Sequence, residues 1–448
     1  MRVNRSARVA DVQGLAIAGP VVRRDRLSAR RANLGAVLRL LRDEGPRART
    51  RIADDTGLPR TTVVHLVAEL LDGGLVAEGE PERDGALGRP ALTVGIDGAD
   101  VHGIGVEVNV DYLGLLALNL RGEVALERRT PFDVPRADPK ATLDETARLV
   151  AAALRAVRAR GGRTVGVTLA TPGAVDVAAG VVGYAANIGW RGVRALARLR
   201  EGLAGELPEL FLQDRPPEPG MYPELYPEPD LYLENDAKLG ALAEYVPASA
   251  RGVRDLVYVT GQTGVGVGII AGGRLVRGAA GHAGEIGHLP LVPSDQRCCC
   301  GRRDCWETTV GRGALLRYAA DPADAVHDPS VDPAYRLAEL RRRARAADAR
   351  TLDALDRIAA NLGPGLALLA DVLNPRLMVL GGHFAYFGRY LTDKVAAAVG
   401  ERVIAPRGGG CEIVPSGLGF AAAARGGALL ALDAVYRDPI RAMAGRGV

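Results

Sequence analysis

Four of the five cysteines lie in one short stretch, Cys298–Cys305, and His288 stands just upstream of it. Cys-x-Cys and Cys-x4-Cys spacings on a tight, glycine-bearing turn let several thiolates point at one tetrahedral centre, which an imidazole arriving on the preceding strand can complete. The pattern therefore predicts a metal site, with zinc as the ion. Cys299, between two of the proposed ligands, is expected to point away from the metal, and the isolated Cys411 is expected to pack in the core.

Two other roles for these cysteines are weaker. Free cysteine is among the most buried residue types, so the thiols could be small core residues, or two of them could form a disulfide. The stretch also contains Arg302, Arg303 and Asp304, however, which place it near a polar surface. Nothing else in the chain indicates a secreted fold held by disulfides, so metal binding is the favoured interpretation.

The size and charge of the chain set broad limits. Its 448 residues are too many for one simple core, and two or three domains are expected. The net charge is only +4, but residues 1–28 form an arginine-rich arm, which we expect to be disordered and either to meet an anionic partner or simply to be solvated. The opening residues do not follow a secretory pattern, and no uncharged apolar run is long enough to span a bilayer. Together with cysteines arranged for metal, this predicts a cytoplasmic protein with no membrane partner.

Apolar residues recur at helical spacing in three segments near the start of the chain. They predict three helices, over Asn33–Glu44, Arg49–Thr56 and Arg60–Leu71. Gly57 marks the turn between the second and third helices. Two short strands follow, joined by a charged, glycine-rich turn over residues 78–90 that has the length of a wing. This order predicts a winged helix-turn-helix domain over residues 29–95.

The outer face of the third predicted helix carries polar side chains near its N-terminal end, where a recognition helix meets base edges and phosphates in a major groove. Pro90 holds the preceding arginine extended, so that arginine could reach the DNA backbone or the minor groove. The predicted DNA-contacting residues are Arg49, Arg60, Thr61, Thr62, His65 and Arg89. The other interpretation of a small three-helix unit is a protein–protein module, and threonine or histidine at a helix start can also be a simple cap.

Beyond residue 99, strand-like runs alternate with helices rich in alanine and leucine, which predicts the α/β class. The predicted strands are Gly103–Val110, Leu113–Leu120, Thr164–Leu169, Leu256–Val259 and Leu377–Leu380. The predicted helices are Leu143–Ala159 and Leu352–Val372. Glycine turns punctuate the strand ends at residues 171–173, 263–268 and 380–382. Each turn alone is weak evidence, because glycine-rich turns also serve tight packing.

In order and spacing these pieces resemble the ROK family, which comprises repressors, uncharacterised proteins and sugar kinases. In the second domain the resemblance is carried by the glycine turns, Leu233–Ala237, Glu285–His288 and the cysteine stretch. In the first domain, segments similar to the DNA-binding half of ROK transcriptional regulators are Arg31–Leu34, Gly57–Val63 and Gly88–Pro90. The resemblance covers nearly the whole chain.

The resemblance implies an actin-like ATPase fold over residues 96–438, with two lobes around a cleft, preceded by the α+β winged helix-turn-helix domain. It also implies a homodimer or homotetramer and a structural zinc ion held by His288, Cys298, Cys300 and Cys305. Carried over position by position, the sugar-binding residues are Gly173, Asn187, Asn235, Asp236, Glu285, His288 and Glu307. Carboxylates and amides suit that role, because a polyhydroxylated ring needs both hydrogen-bond donors and acceptors.

The first strand of the second domain ends without the phosphate-binding glycines of a ROK kinase. Glu107–Asp111 stands where the resemblance implies an Asp-Gly-Gly-Thr loop, and its carboxylates place negative charge where phosphate would lie. Asp236 occupies the position of the catalytic base, but in a sensor it can simply accept a hydrogen bond from the sugar. We therefore expect a sugar-responsive regulator that binds double-stranded operator DNA and represses carbohydrate genes, without kinase activity. The alternative is an active or bifunctional sugar kinase.

Two local departures from the family pattern lie near these sites. A segment rich in proline, glutamate and tyrosine is inserted at residues 206–232, just before Asn235, and either flaps over the cleft or is exposed to solvent. Asp304 replaces the usual glycine of the cysteine stretch. Because Glu285 and Glu307 lie close in sequence to metal ligands, zinc is expected to brace two sugar-contacting carboxylates from outside the reaction path.

Overall fold

The computed structural model describes residues 26–82, 91–211, 229–328, 331–404 and 411–443. Most of the expected arm over residues 1–28, the wing tip with Arg89, and most of the insertion over residues 206–232 lie outside these ranges. Within the ranges, no helix combines the length and the apolar character needed to cross a membrane.

The first domain has three helices and a small antiparallel sheet. Its elements are α1 (Arg26–Glu44), β1 (Arg47–Ala48), α2 (Arg49–Thr56), α3 (Arg60–Asp72), β2 (Val76–Glu82) and β3 (Ala91–Ile96). The strand order is β1-β3-β2. Gly57 ends α2 in the left-handed conformation, with φ of 70°, which glycine adopts without strain. The order is that of the predicted winged helix-turn-helix domain, and the bounds of α2 agree with the prediction.

Two bounds in this domain were predicted wrongly. Helix α1 begins at Arg26 rather than at Asn33, so the last residues of the expected disordered arm belong to the helix. The apolar spacing that predicts this helix starts only at Leu34, and the polar residues before it carry no periodic signal. Strand β2 runs to Glu82, into the segment expected to form the turn of the wing.

The second domain opens with a lobe built on a five-stranded mixed sheet. Its elements are β4 (Val101–Val108), β5 (Tyr112–Asn119), β6 (Val124–Pro131), α4 (Pro139–Ala159), β7 (Arg163–Thr171), β8 (Ala174–Asp176), β9 (Val181–Ala185), β10 (Trp190–Val193), α5 (Ala195–Glu206), α6 (Pro208–Phe211) and β11 (Asp230–Asn235). The main sheet has the order β11-β7-β4-β5-β6, and β8 to β10 form a small separate sheet. Apolar side chains of α4 and α5 cover one face of the main sheet.

The second lobe repeats this arrangement. Its elements are α7 (Asp236–Ser249), β12 (Leu256–Gly261), β13 (Val265–Ala271), β14 (Arg274–Leu275), α8 (Glu307–Val310), α9 (Arg312–Ala319), α10 (Pro333–Arg345), α11 (Ala349–Leu373), β15 (Leu377–Gly382), α12 (His383–Tyr386), α13 (Gly388–Gly400) and β16 (Glu412–Pro415). The sheet order is β14-β13-β12-β15-β16. In both lobes a central strand, β4 or β12, pairs antiparallel with the next strand in the chain and parallel with a later one. The two lobes therefore share one topology, the actin-like fold.

Two further helices close the described chain, α14 (Ala422–Arg437) and α15 (Pro439–Met443). Helix α14 packs on β4 and β7 of the first lobe and also on α7, which packs on β12 and β13 of the second. A Cβ at Gly426 of α14 would collide with the carbonyl oxygen of Leu239 in α7, so the two helices approach as closely as glycine permits. The pair α7 and α14 thus connects the two lobes.

The helix-turn-helix domain, called the head below, shares a hydrophobic core with α14. Leu34, Val37 and Leu38 of α1 are fully buried in one cluster that also contains Leu432 and Val435. Polar contacts reinforce the junction: Arg31 pairs with Asp438 at 3.0 Å, and Arg39 donates to the Tyr436 carbonyl oxygen at 2.8 Å. The head is therefore packed on the second domain rather than tethered beside it.

Candidate ligand cleft and metal centre

A cleft lies where the strands of the two lobes end, and its open volume, including solvent at its mouth, is about 630 Å³. Residues following β7 and β9, the start of α7, and the turn between β12 and β13 contribute its walls. All the predicted sugar-binding residues line it, namely Gly173, Asn187, Asn235, Asp236, Glu285, His288 and Glu307. A more apolar cavity of about 1050 Å³ lies at the opposite ends of β7 and β11 and contains none of them.

Asn235 ties the two sides of the first lobe's wall together. Its Oδ1 accepts a hydrogen bond from the Lys238 backbone N–H at 3.0 Å, which caps α7, and its Nδ2 donates to the Gly173 carbonyl oxygen at 3.1 Å. Gly173 has φ of 86°, and a side chain there would collide with the backbone of Tyr184 and Ala185. The local sequence therefore fixes this wall before any ligand binds.

Asp236 is the first residue of α7, and its Oδ1 accepts a hydrogen bond from the Ala237 backbone N–H at 2.8 Å. Burial raises the pKa of Asp236 to about 6, and the negative charge of Glu285 adds to the effect. The carboxylate is ionised at neutral pH and available as a hydrogen-bond acceptor or a proton acceptor.

Lys238 is a charged residue beneath the cleft that sequence reasoning missed. Its side chain is buried, its Nζ donates to the Gly281 carbonyl oxygen at 2.7 Å, and burial lowers its pKa. The carboxylates of Glu234, Asp236 and Glu285 surround it and favour its charged form. The sequence signal for Lys238 is its position three residues after Asn235. The same spacing is equally typical of an ordinary helix start.

The four predicted metal ligands lie together. One ligand atom each of His288, Cys298, Cys300 and Cys305 falls within 4.8 Å of the others. The Sγ atoms of Cys300 and Cys305 are 3.6 Å apart, and Cys298 Sγ lies 3.4 Å from His288 Nδ1. Ligand atoms of a tetrahedral zinc ion with Zn–S bonds of about 2.3 Å are about 3.8 Å apart or slightly closer, so the donor set and its spacing fit zinc.

The thiols of this group differ in their electrostatics. Burial and a hydrogen bond to the Glu307 carboxylate raise the pKa of Cys298, and burial raises the pKa of Cys305. At Cys300 burial also disfavours the thiolate, but hydrogen bonds from Arg302 outweigh it and lower the pKa to about 6. Asp304 has φ of 61°, the left-handed region in which glycine is usual, and its Oδ1 compensates by accepting from the Ser294 backbone N–H at 2.7 Å. His288 lies on a turn of 3-10 helix, Glu285–His288, and not on a strand as predicted.

The other two cysteines are not part of the four-ligand group. Cys299 is exposed, and its Sγ lies 2.8 Å from Asn187 Oδ1 at the cleft wall but also 3.8 Å from Cys298 Sγ, so the prediction that it points away from the ligands is wrong with respect to Cys298. Although the residue is exposed overall, loss of water around its sulfur at the cleft wall and the charge of Glu307 raise the pKa of this thiol to about 12. Cys411 is half-buried at the margin of the second lobe's core rather than within it.

The strand end at Glu107–Asp111 makes contacts across the cleft. Asn109 Nδ2 donates to Glu107 Oε1 at 2.8 Å and also to Gln262 Oε1 of the second lobe. Asp111 forms an ion pair with Arg312, whose guanidinium donates to Thr263 Oγ1 at 2.9 Å. The segment expected to lack phosphate binding is thus occupied by lobe-to-lobe hydrogen bonds.

Glu107 itself is fully buried. Burial raises its pKa to about 7, and the nearby charge of Asp236 contributes. Tyr112 also donates to Glu107 Oε1, at 3.2 Å. Protonation of this buried carboxyl reduces the negative charge that the strand end was expected to place in the cleft, and Arg312 neutralises the charge of Asp111.

The head presents the predicted recognition face to solvent. Arg60, Thr61 and His65 of α3 are exposed and Thr62 is partly so, whereas Arg49 is held in an ion pair with Glu78 at 2.6 Å. Sequence reasoning missed Val64, which is 51% exposed on the same face. From the sequence alone an apolar residue in this helix is expected to be buried. The orientation of α3 in the structure shows that Val64 is exposed to solvent.

A helix-turn-helix head packed on a two-lobed actin-like domain defines a DNA-binding protein built on the sugar-kinase fold. Residues 228–434 match the ROK family, and residues 32–79 match the IclR helix-turn-helix domain. The chain therefore carries a ROK domain preceded by a helix-turn-helix domain of the IclR type.

Curated relatives include repressors that align along most of the chain. The xylose repressor of Bacillus subtilis (strain 168) is 25% identical over 410 residues, which cover 91% of this chain and 97% of the relative. The N-acetylglucosamine repressor of Escherichia coli O157:H7 is 23% identical over 378 residues, which cover 83% of this chain and 85% of the relative.

Solved structures show the same fold. A ROK family transcriptional regulator described as a homologue of the E. coli MLC protein superposes with a TM-score of 0.70, at 19% identity, over 93% of this chain and 99% of its own. A ROK family glucokinase from Streptomyces griseus, in complex with glucose and AMPPNP, superposes with a TM-score of 0.58, at 25% identity, over 74% of this chain and 99% of its own.

Proposed function

We propose that this chain is a sugar-responsive DNA-binding repressor. The observation that carries the proposal is that one set of packed helices joins the cleft to the head: α7 begins at Asp236 in the cleft, packs on α14, and α14 shares its core with α1. The alignment of named repressors along both domains supports the same function.

The ligand we propose is a neutral sugar or sugar derivative. The cleft offers amides at Asn187 and Asn235, carboxylates at Asp236, Glu285 and Glu307, and the imidazole of His288. This mixture of donors and acceptors matches the hydroxyl groups of a sugar ring, whereas the row of carboxylates disfavours an anionic ligand. A buried polar group left unpaired is costly, so such a site discriminates strongly between sugars.

We further propose that His288, Cys298, Cys300 and Cys305 hold a structural zinc ion. His288 Nδ1 faces the thiols, which leaves Nε2 available to a ligand in the cleft. Glu307 lies 3.6 Å from the same imidazole nitrogen. When bound, the metal would supply rigidity to this wall, and the neighbouring carboxylates and imidazole would contact the sugar.

The contacts at Glu107–Asp111 favour a sensor over a kinase. A kinase must admit a nucleotide phosphate between this strand end and the Gly264–Gly268 turn. In this chain Asn109 and Asp111 instead reach Gln262 and Arg312 of the opposite lobe, and the segment has no glycine through which backbone could approach phosphate. Arg312 is 8% exposed, so its charge is committed to this contact.

Sugar binding would act on DNA binding through the angle between the lobes. A ligand shifts a two-state equilibrium only by its difference in affinity for the two states, and closure of the cleft provides such a difference. We propose a homodimer, in which movement of α14 changes the separation of two heads and hence their fit to two operator half-sites.

The experiment uses the full chain and DNA selected by it from a random-sequence pool. The zinc-loaded protein is then titrated with D-xylose, D-glucose and N-acetylglucosamine while fluorescence anisotropy reports DNA affinity. We expect one sugar to weaken DNA binding at least about tenfold, within the usual range of allosteric coupling. Selection of no DNA sequence, or DNA affinity unchanged by every sugar that binds, would contradict the proposal.

Substitutions on the recognition face sharpen the test. Arg60→Ala and His65→Ala should each weaken binding to the selected DNA by about 1–3 kcal/mol, the range for a base contact. Arg345→Ala, which removes an exposed arginine from the far lobe, is the matched control and should bind as the parent does. Equal binding by all of these variants would show that DNA is read elsewhere.

The second candidate function is a sugar kinase. The observation that favours it is the carboxylate of Asp236 at the N-terminus of α7, where a kinase needs a catalytic base. A coupled assay of ADP release with the same sugars separates the two. Sugar-dependent turnover at about 1 per second or faster, the ordinary range for enzymes, would establish the kinase and remove the pure sensor.

A further inference from the structure

The sulfur of Cys299 contacts two residues of the cleft wall. Its Sγ lies 2.8 Å from Asn187 Oδ1 and 3.6 Å from Glu307 Oε1. Asn187 and Glu307 line the cleft, whereas Cys299 does not. The thiol also lies 3.8 Å from Cys298 Sγ, but Asn187 and Glu307 are its contacts with the cleft wall, so it can influence a ligand through these two side chains.

The contact with Cys299 decides which end of the Asn187 amide faces the cleft. A thiol can donate its proton to an amide oxygen, whereas its sulfur is only a weak acceptor for an NH2 group. With Oδ1 held by Cys299, Nδ2 is directed at Gly264, where it would collide with any Cβ. Glu307 Oε2 approaches the same glycine. One donor and one acceptor thus stand side by side at Gly264.

We infer that Cys299 is a positioning residue of the cleft, whose thiol orients Asn187 so that Nδ2 faces the ligand as a donor beside the acceptor Glu307 Oε2. The inference rests on the proposed function, because it takes the ligand to be a sugar. This arrangement favours a sugar that accepts a hydrogen bond from Asn187 Nδ2 through one oxygen and donates a hydroxyl hydrogen to Glu307 Oε2. A rotated amide would present two acceptors together and leave one of them unpaired.

Metal binding does not explain the position of Cys299. Cys298, Cys299 and Glu307 are close enough to share an ion, but Cys298 also belongs to the four-residue group with His288 and the later cysteines. That group is a complete tetrahedral set, so it accounts for the metal without Cys299. The shortest contact of the Cys299 sulfur is then the one to Asn187 Oδ1.

The test compares the zinc-loaded full chain with its Cys299→Ala and Cys299→Ser variants by calorimetric titration with D-xylose, D-glucose and N-acetylglucosamine. Loss of one hydrogen bond predicts that Cys299→Ala binds its best sugar about threefold to tenfold more weakly. Serine retains a donor, so Cys299→Ser should stay within about twofold of the parent. Cys411→Ala is the control for loss of a cysteine elsewhere and should bind as the parent does.

Two further measurements separate positioning from a structural role. In an Asn187→Ala background, Cys299→Ala should cause no additional loss, because its effect passes through the amide. Additive losses would overturn the inference. So would a loss of zinc from Cys299→Ala, measured by metal analysis, since Cys299 would then act on the metal.

Crystal structures keep the inference testable if no sugar binds. Absence of binding by the parent to all three sugars counts against the proposed function, not against Cys299. The side chain of Asn187 should be rotated or displaced in Cys299→Ala and unchanged in Cys299→Ser. An identical Asn187 in all three structures would refute the positioning role.

Discussion

Asp111 of the first lobe and Arg312 of the second lobe form an ion pair across the cleft, and Arg336 approaches the other Asp111 oxygen at 3.9 Å. Both arginines are nearly buried, at 8% and 6% exposure. Removing one partner of a buried pair leaves an uncompensated charge. Loss of Asp111 should therefore destabilise the fold mainly because it leaves the guanidinium groups of Arg312 and Arg336 without a counter-charge.

We predict that Asp111→Ala lowers the free energy of unfolding by about 3 kcal/mol, the lower end of the range for a broken buried pair. The exposed pair between Lys140 and Asp144 of α4, at 2.7 Å, is the control for an ion pair in solvent. Lys140→Ala should cost less than about 1 kcal/mol. Urea unfolding at neutral pH measures both, and equal losses would show that burial does not set the strength of the pair.

The junction between head and second domain provides a second prediction. A Cβ at Gly35 of α1 would collide with the Tyr436 carbonyl oxygen of α14, whereas a Cβ at Gly205 of α5 would meet nothing within 4 Å. Gly35→Ala should separate the two helices and make the head melt before the second domain in calorimetry. Gly205→Ala should be neutral or stabilising by up to about 1 kcal/mol, as is usual for glycine replaced by alanine in a helix. A single unchanged transition for Gly35→Ala would argue against close packing at this junction.

Asp236 provides a prediction with a pH dependence. Because burial raises its pKa to about 6, the folded chain binds this proton more tightly than the unfolded chain does. Its stability contribution is present below about pH 4, near the unfolded value, and is lost as the pH rises to about 6. Asp236→Asn should therefore raise the free energy of unfolding at pH 7.5 by roughly 1–3 kcal/mol and change it little at pH 4.

Asp236→Asn should weaken sugar binding while it raises stability, because it removes the carboxylate that accepts a hydrogen bond. The exposed Asp295→Asn is the control and should alter neither property. Unfolding followed by fluorescence at the two pH values, with sugar titration at pH 7.5, makes the comparison. A gain in stability of the same size at both pH values would mean that protonation of Asp236 is not its cause.

The left-handed conformation of Asp304 leads to a prediction about the proposed metal site. Asp304→Ala keeps a Cβ in this conformation and loses the hydrogen bond to the Ser294 N–H, so it should destabilise the loop by about 1–2 kcal/mol. Asp304→Gly loses the same hydrogen bond but relieves the backbone, so its cost should be small. The rate of zinc loss to a colorimetric chelator ranks the variants. Faster loss from Asp304→Gly than from Asp304→Ala would contradict the backbone argument.

The sequence predicted those features that depend on local spacing. The bounds of α2 and the grouping of His288 with the cysteines follow from residue types a few positions apart. Strand β6 was missed because its side chains are mostly exposed and charged, which hides the period of a strand. Helix α1 was predicted too short for the same reason.

Contacts between distant segments were not predictable from the sequence. Asp111 pairs with Arg312, and Cys299 contacts Asn187, across separations of 201 and 112 residues. Each of these residues alone looks like an ordinary surface charge or a spare thiol. The sugar-binding residues were assigned through a family resemblance; the structure places them around one cleft, and their role in binding is a proposal.

The shared core of α1 and α14 has a practical consequence for protein engineering. A head cut from this chain would expose the buried face of Leu34, Val37 and Leu38 and would be expected to aggregate. Exchanging heads between regulators of this architecture therefore requires the outer face of α14 to be grafted together with α1. The boundary for a chimaera is the surface between these two helices, not a point in the linker.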